Sequence, residues 1–201
     1  MGAKEYFELG IEELQALGRW AGTCASRALQ LYEAKCPGDP RPRKAIEGIV
    51  EFSRSGKRTN KLRKLALDAY RASLETVDEA AKAAARASSL AAASAYTHPF
   101  RDVRQAEHIL GPAAYAALAM ELKEDPGNRH GDEEVRLAIE NAELEVAELL
   151  GKMPERGIGK TRIDRLLFDL DHGLRENLKQ KQPSALTREP WKANGGIHIS
   201  R

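Results

Sequence analysis

Thr76-Val77-Asp78-Glu79-Ala80-Ala81-Lys82-Ala83-Ala84-Ala85-Arg86-Ala87-Ser88-Ser89-Leu90-Ala91-Ala92-Ala93-Ser94-Ala95 holds ten alanines in the sixteen residues from Ala80 onward. Alanine has the highest intrinsic helix propensity and almost no side-chain bulk. The run therefore predicts a helix that neighbours can approach closely, and its place is the centre of a helical bundle. Thr76-Val77-Asp78-Glu79 has the spacing of a capping box and marks the start of this helix after a break. His98-Pro99 ends it, because the residue before a proline avoids helical geometry.

Toward the N-terminus, Leu14, Leu17, Ala21, Cys24, Ala28 and Leu31 recur at helical spacing between Leu9 and Lys35. Cys36-Pro37-Gly38-Asp39-Pro40-Arg41-Pro42-Arg43-Lys44-Ala45-Ile46 follows, with three prolines, one glycine and three cations. Pro-Gly-Asp already supplies the turn that a plain connection needs. Arg41 and Arg43 therefore have one of two further roles, pairing with acids of the preceding helix or recognition of a partner. Pro42 suits the first turn of a short helix that carries Ile46, Ile49 and Val50 and ends near Ser55-Gly56. Leu62, Leu65, Ala66, Ala69 and Ser73 line one face of the next helix.

Toward the C-terminus, Gly111-Pro112 is expected to divide an element, with Pro112 opening a helix through Leu122. Asp125-Pro126-Gly127-Asn128 reads as a turn. Val135, Ile139, Ala142, Val146 and Leu149 define one amphipathic helix, and Ile163, Leu166, Leu167, Leu170, Leu174 and Leu178 define the last. From Gln180 the chain is polar, with Pro183, Pro190 and Gly195-Gly196. No alternating strand pattern and no fixed-period repeat is present. The expectation is an all-α, single-domain bundle of six to eight helices over residues 1–179, with a loosely ordered tail over 180–201.

A chain of 201 residues suits one domain that buries roughly 70% of its unfolded surface and needs no metal or disulfide staple. Cys24 and Cys36 lie on or just past one helix, roughly 18 Å apart along it. That exceeds disulfide reach, and reduced thiols point to a cytoplasmic protein. Met1 to Tyr6 lacks the apolar core of a signal peptide, and Tyr6 stands where myristoylation wants Ser or Thr. Lys82, Arg86 and the serines break the alanine run, so no membrane span is expected. Net charge is only +2, yet charge is arranged along the chain. Arg41 to Arg71 has ten Lys/Arg and three Asp/Glu, a net of +7, and Glu121 to Glu155 has four against eleven, a net of −7. Either the two stretches compensate within one bundle, or one of them meets a charged partner.

Gly157-Ile158-Gly159-Lys160-Thr161 ends like a phosphate loop, but Pro154 stands where the pattern needs its first glycine and no strand precedes it. The same stretch, between Leu149-Leu150 and the helix of Ile163 and Leu166, resembles a degenerate helix-hairpin-helix module. Gly157, Gly159 and Lys160 would then grip a nucleic-acid phosphate, together with the basic Lys57–Lys64 face. Glu155-Arg156 is inserted relative to that pattern, and the acidic helix before it repels phosphate. His98, His108, His130, His172 and His198 make no metal-ligand spacing. Asp169, Asp171 and His172 point to different helix faces. Neither a cofactor nor a catalytic constellation is indicated. Trp20 and Tyr115 fall at core or core-edge positions.

Trp20-Ala21, Cys24-Ala25 and Leu31-Tyr32-Glu33, the hinge run from Pro37 to Ile46, the alanine-rich helix, and His108-Ile109-Leu110-Gly111-Pro112-Ala113-Ala114-Tyr115-Ala116 together resemble an immunity-protein family of bacterial polymorphic toxin (toxin–immunity) systems. The likeness covers roughly residues 14–122. Asp-x-Arg-Pro-Arg-x-Ala-Ile is its most specific part. Thr97 to Asp102 is an insertion relative to the family, Pro112 replaces a small residue, and Tyr96 stands where a histidine is expected. The resemblance implies a non-enzymatic cytoplasmic protein that binds and neutralises a cognate toxin domain. Asp39, Arg41, Arg43, His108 and Tyr115 are its candidate partner-binding residues. A homodimer is an alternative use of the alanine-rich face, and a nucleic-acid partner is the runner-up reading. For a nuclease toxin, the acids from Glu140 to Glu148 would mimic substrate.

Overall fold

A computed structural model describes residues 5–123 and 130–181. Eight helices are found among them: α1 Ile11–Lys35, α2 Arg41–Ser55, α3 Asn60–Glu75, α4 Glu79–Ser94, α5 Val103–Leu122, α6 His130–Glu140, α7 Leu144–Gly151 and α8 Arg162–Lys181. The only strand-like contact among the described residues is an isolated antiparallel bridge between Tyr6 and Phe100. The chain is therefore an all-α, single-domain bundle, as its periodicity implies.

Helix α4 takes the central place that its alanines suit, packed against α1, α2, α3 and α5. Ala81, Ala84, Ala85, Ala87, Ala91 and Ala92 are fully buried. The missing volume comes from the neighbours, whose Leu17, Tyr32, Ile49, Phe52, Ile109 and Leu110 fill the space around it. The serines of α4 cost nothing unpaired: Ser88 and Ser94 donate to carbonyls of their own helix, and Ser89 donates across to the Ala66 carbonyl of α3 at 2.9 Å. Helix α2 begins with Pro42 in its first turn and ends at Gly56, whose φ of 66° is the left-handed geometry that favours glycine.

Three expectations change in detail. Asp78, not Thr76, caps α4, because its carboxylate accepts from the Ala81 amide at 2.9 Å while Lys35 pairs with it. Pro112 lies inside a continuous α5 rather than at its start. Proline in a helix interior costs about 3 kcal/mol. Full burial of Ile109 and Leu110 in the same turns contributes about 1.5–3 kcal/mol each and outweighs it. The amphipathic stretch from Val135 to Leu149 is two helices, not one. Asn141 donates back to the Leu137 carbonyl through both its amide and its side chain, ending α6. The break lets α6 pack on α5 and α8 while α7 packs on α1 and α8.

The inserted residues after α4 have a structural use. Phe7 donates to the Pro99 carbonyl and Arg101 to the Glu5 carbonyl, so the insertion pins the chain before α1. Gln180 and Lys181 belong to α8. The expected turn at 125–128 and the expected tail from residue 182 lie outside the described residues.

Candidate partner-binding face

The hinge between α1 and α2 is a closed ion network. Tyr32 donates its hydroxyl to Asp39 at 2.6 Å, and Arg41 clamps the same carboxylate through its Nε and Nη2. Arg41 also reaches Glu75 at the end of α3 at 2.5 Å. Arg43 forms a bidentate pair with Glu33 of α1. Hydrogen bonds from Arg41 hold the Asp39 carboxyl well below the usual carboxylate range, while burial and Asp39 push the Tyr32 phenol up. Arg43 pairs with an acid of the preceding helix, as one of its two expected roles has it, whereas Arg41 pairs with Asp39 of the hinge and Glu75 of α3 instead. The family-like hinge motif thus locks α1, α2 and the C-terminal end of α3 to one another.

His108 and Tyr115 lie apart from that network, two turns from each other on α5. His108 is half-buried, and its Nδ1 is buried without a hydrogen-bond partner. Burial pushes its pKa down from the ordinary value, with Glu107 opposing and His98 and Arg86 reinforcing. Tyr115 lines an open cleft of about 300 Å³ between α3, α4 and α5, together with Tyr70, Leu74, Arg86, Leu118 and Leu122. The Arg86 guanidinium lies 4.4 Å from the Tyr70 ring centre and 5.8 Å from that of Tyr115, and pairs with no carboxylate among the described residues. A neighbouring cleft of about 160 Å³ shares Arg86 and Tyr115 and runs toward α8.

Sequence periodicity hides one feature of α3. Its inner face is the expected Leu62, Ala66, Ala69 and Ser73. Its outer face exposes Leu67 at 51%, Tyr70 at 37% and Leu74 at 63%, and Val77 beyond it is 95% exposed. Leu67 and Leu74 lie outside the candidate residues that the sequence points to. The available signal was large apolar residues at spacing three and four on the polar side of the helix.

Gly157, Gly159 and Lys160 form the connection from α7 to α8, but not a phosphate grip. The Asp164 carboxylate accepts from the Thr161 amide at 3.1 Å and the Thr161 hydroxyl at 2.7 Å. These bonds hold its pKa down, with a further bond from the Lys160 backbone. The carboxylate of Asp164 thus takes up the Thr161 amide, a donor that a phosphate at this helix start would use. Gly159 is required there for another reason, since a Cβ at that position would lie 2.3 Å from the Asp164 side chain. The nucleic-acid alternative built on this loop has no support.

The buried Asp171 pairs with Arg175 at 2.8 Å, and Arg175 also donates to the Met153 carbonyl, so this acid serves the loop and not a metal cluster. His172 stacks on Phe168 instead. Cys24 and Cys36 are both free thiols, and burial pushes Cys24 up to about 12. No helix among the described residues is long and apolar enough to cross a membrane.

A closed hinge network thus lies beside an open, partly apolar helical face. Residues 8–145 match the family described as "Imm-5 like putative immunity protein". The match spans more than half of the chain, and the protein belongs to that family. It contains the whole of the likeness over 14–122. No curated protein and no solved structure matches the chain.

Proposed function

We propose that this chain is a cytoplasmic, non-enzymatic immunity protein of a bacterium, which neutralises a cognate toxin domain by stoichiometric binding. Family membership over residues 8–145 is the observation that carries this reading. The build of the molecule supports it. A rigid core, with bulky side chains interdigitated around an alanine helix, holds its surface in one shape. Binding then costs little conformational entropy. Arg41 belongs to this rigidity because it ties Asp39 of the hinge to Glu75 at the end of α3.

The test begins with capture of the tagged protein from its source lysate, with and without nuclease. The dominant protein retained after nuclease treatment is then expressed alone and with this chain. The expected outcome is growth arrest by that protein alone, rescue on co-expression, and a one-to-one complex by light scattering. Arrest that co-expression leaves unchanged would refute the reading.

A further inference from the structure

We infer that the outer face of α3, continued by the cleft around Arg86, is the surface that docks the toxin, and that it takes a protein face presenting apolar side chains beside carboxylates. This inference rests on the immunity reading above. Leu67, Tyr70 and Leu74 recur at spacing three and four and therefore form one stripe along the exposed side of α3. Leu122 of α5, 44% exposed, lines the cleft beside Leu74, and Val77 just past the end of α3 is 95% exposed. Contiguous exposed apolar side chains rimmed by charge mark interaction sites on soluble proteins.

Charge identifies the occupant. Lys57, Arg58, Lys61, Arg63 and Lys64 surround the N-terminal end of the same helix, all exposed and none in an ion pair among the described residues. Arg63 lies over the Tyr96 ring at 4.7 Å, which leaves its charge uncompensated. Arg86 adds a cation inside the cleft, half-buried between two tyrosines. Arginine and tyrosine beside aliphatic anchors are the residue types that dominate protein interfaces.

Other occupants fit less well. Nucleic acid would satisfy the cations but leave four aliphatic side chains against a phosphate backbone. The segment 182–201 has three Lys/Arg and one Glu, so it brings positive charge to a positive face. A second copy would bring the same cations.

The experiment uses the full chain and the purified toxin domain recovered in the capture test. Leu67→Asp/Leu74→Asp and Lys61→Glu/Lys64→Glu are measured against wild type by calorimetry, with Glu145→Lys/Glu148→Lys as the control. Five of the six positions are exposed and Glu148 is half-buried, and circular dichroism checks the fold. The expected result is a loss of about 30-fold or more in affinity for each α3 pair and a change below about threefold for the control. Hydrogen exchange on wild type supplies a second readout, with protection concentrated in 61–77 on complex formation.

Tight binding by wild type with both α3 pairs unaffected would overturn the inference and leave the immunity reading standing. Absence of binding and rescue by wild type would overturn both. A free-protein dimer abolished by Leu67→Asp/Leu74→Asp, or cross-links from 182–201 to α3 in the free chain, would assign the face to those occupants instead. Duplex DNA binding lost in Lys61→Glu/Lys64→Glu, with toxin binding retained, would also overturn it.

Discussion

The stretches Arg41–Arg71 and Glu121–Glu155 carry equal and opposite net charge, +7 and −7, yet the structure spends the two differently. Six of the acids are ion-paired among the described residues: Glu121 and Asp132 with Arg162, Glu133 and Glu140 with Arg136, Glu134 with Arg27, and Glu143 with Arg19. Their partners come mostly from α1 and α8, so these contacts bind distant segments together. Among the described residues, only Arg41, Arg43 and Arg71 of the basic stretch are paired. Lys44, Arg54, Lys57, Arg58, Lys61, Arg63 and Lys64 face solvent without a carboxylate partner among the described residues. The acids are mortar, and the cations are a free surface. Of the acids from Glu140 to Glu148 that would mimic a nuclease substrate, Glu140 and Glu143 are paired with arginines of the same chain, whereas Glu145 and Glu148 have no ion pair among the described residues.

If that contrast is right, breaking pairs on the acidic side costs stability and reversing cations on the basic side does not. The largest effect is expected at Asp171, in the same C-terminal half. Its side chain is 4% exposed and that of Arg175 is 12%. Asp171→Asn strands a buried guanidinium and should cost about 3 kcal/mol, read as a lower midpoint in urea unfolding. The next is Glu134→Gln. Glu134 is 9% exposed and holds Arg27 of α1 with two bonds of 2.5 and 2.8 Å. Loss of a charge-assisted pair of this kind should cost about 2 kcal/mol. Unchanged midpoints in both variants would erase the difference between the two regions.

How much of this is legible in the sequence depends on the kind of signal. Helix α2 was legible almost to the residue, because Pro42 and Gly56 act through local backbone geometry. The central place of α4 was legible from volume alone. The fusion of α5 across Pro112 was not, because propensity cannot weigh a lost hydrogen bond against burial supplied by other helices. The split between α6 and α7 was hidden for a similar reason, since Val135 through Leu149 keeps helical period across it. In the candidate site, Asp39, Arg41 and Arg43 stood out by composition, but their partners Glu75 and Glu33 are fixed by the fold. Leu67 and Leu74 carried a signal that read as noise against a good inner stripe.

A pH titration sharpens the comparison from a third residue that belongs to neither charged stretch. Burial lowers the pKa of His108 in the folded chain, so folded His108 binds its proton less well than unfolded His108 does. As pH falls through the ordinary histidine value near 6.5, the unfolded chain takes up the proton first and stability declines. The decline stops once folded His108 itself titrates. Thermal melts from pH 8 to pH 5 should show this loss, and His108→Gln should flatten it. A wild-type profile that is flat across that range would place His108 in a more solvated setting than the structure does.

The smallest effect is the most discriminating, because its sign opposes intuition about a native residue. Lys61 stands in the first turn of α3, where the exposed helix amides give a positive end, and that turn has no acid. A cation there is held against the helix dipole and beside Arg63 and Lys64. Lys61→Glu removes both repulsions and leaves the ion pairs of the fold untouched. It should stabilise the free protein by roughly 0.5 kcal/mol, a small rise in urea midpoint. The same substitution paired with Lys64→Glu should weaken toxin binding. A residue whose reversal improves folding and damages association is held in place by the partner. A fall in stability for Lys61→Glu would instead make the basic end of α3 part of the scaffold, and the contrast with the acidic helices would disappear.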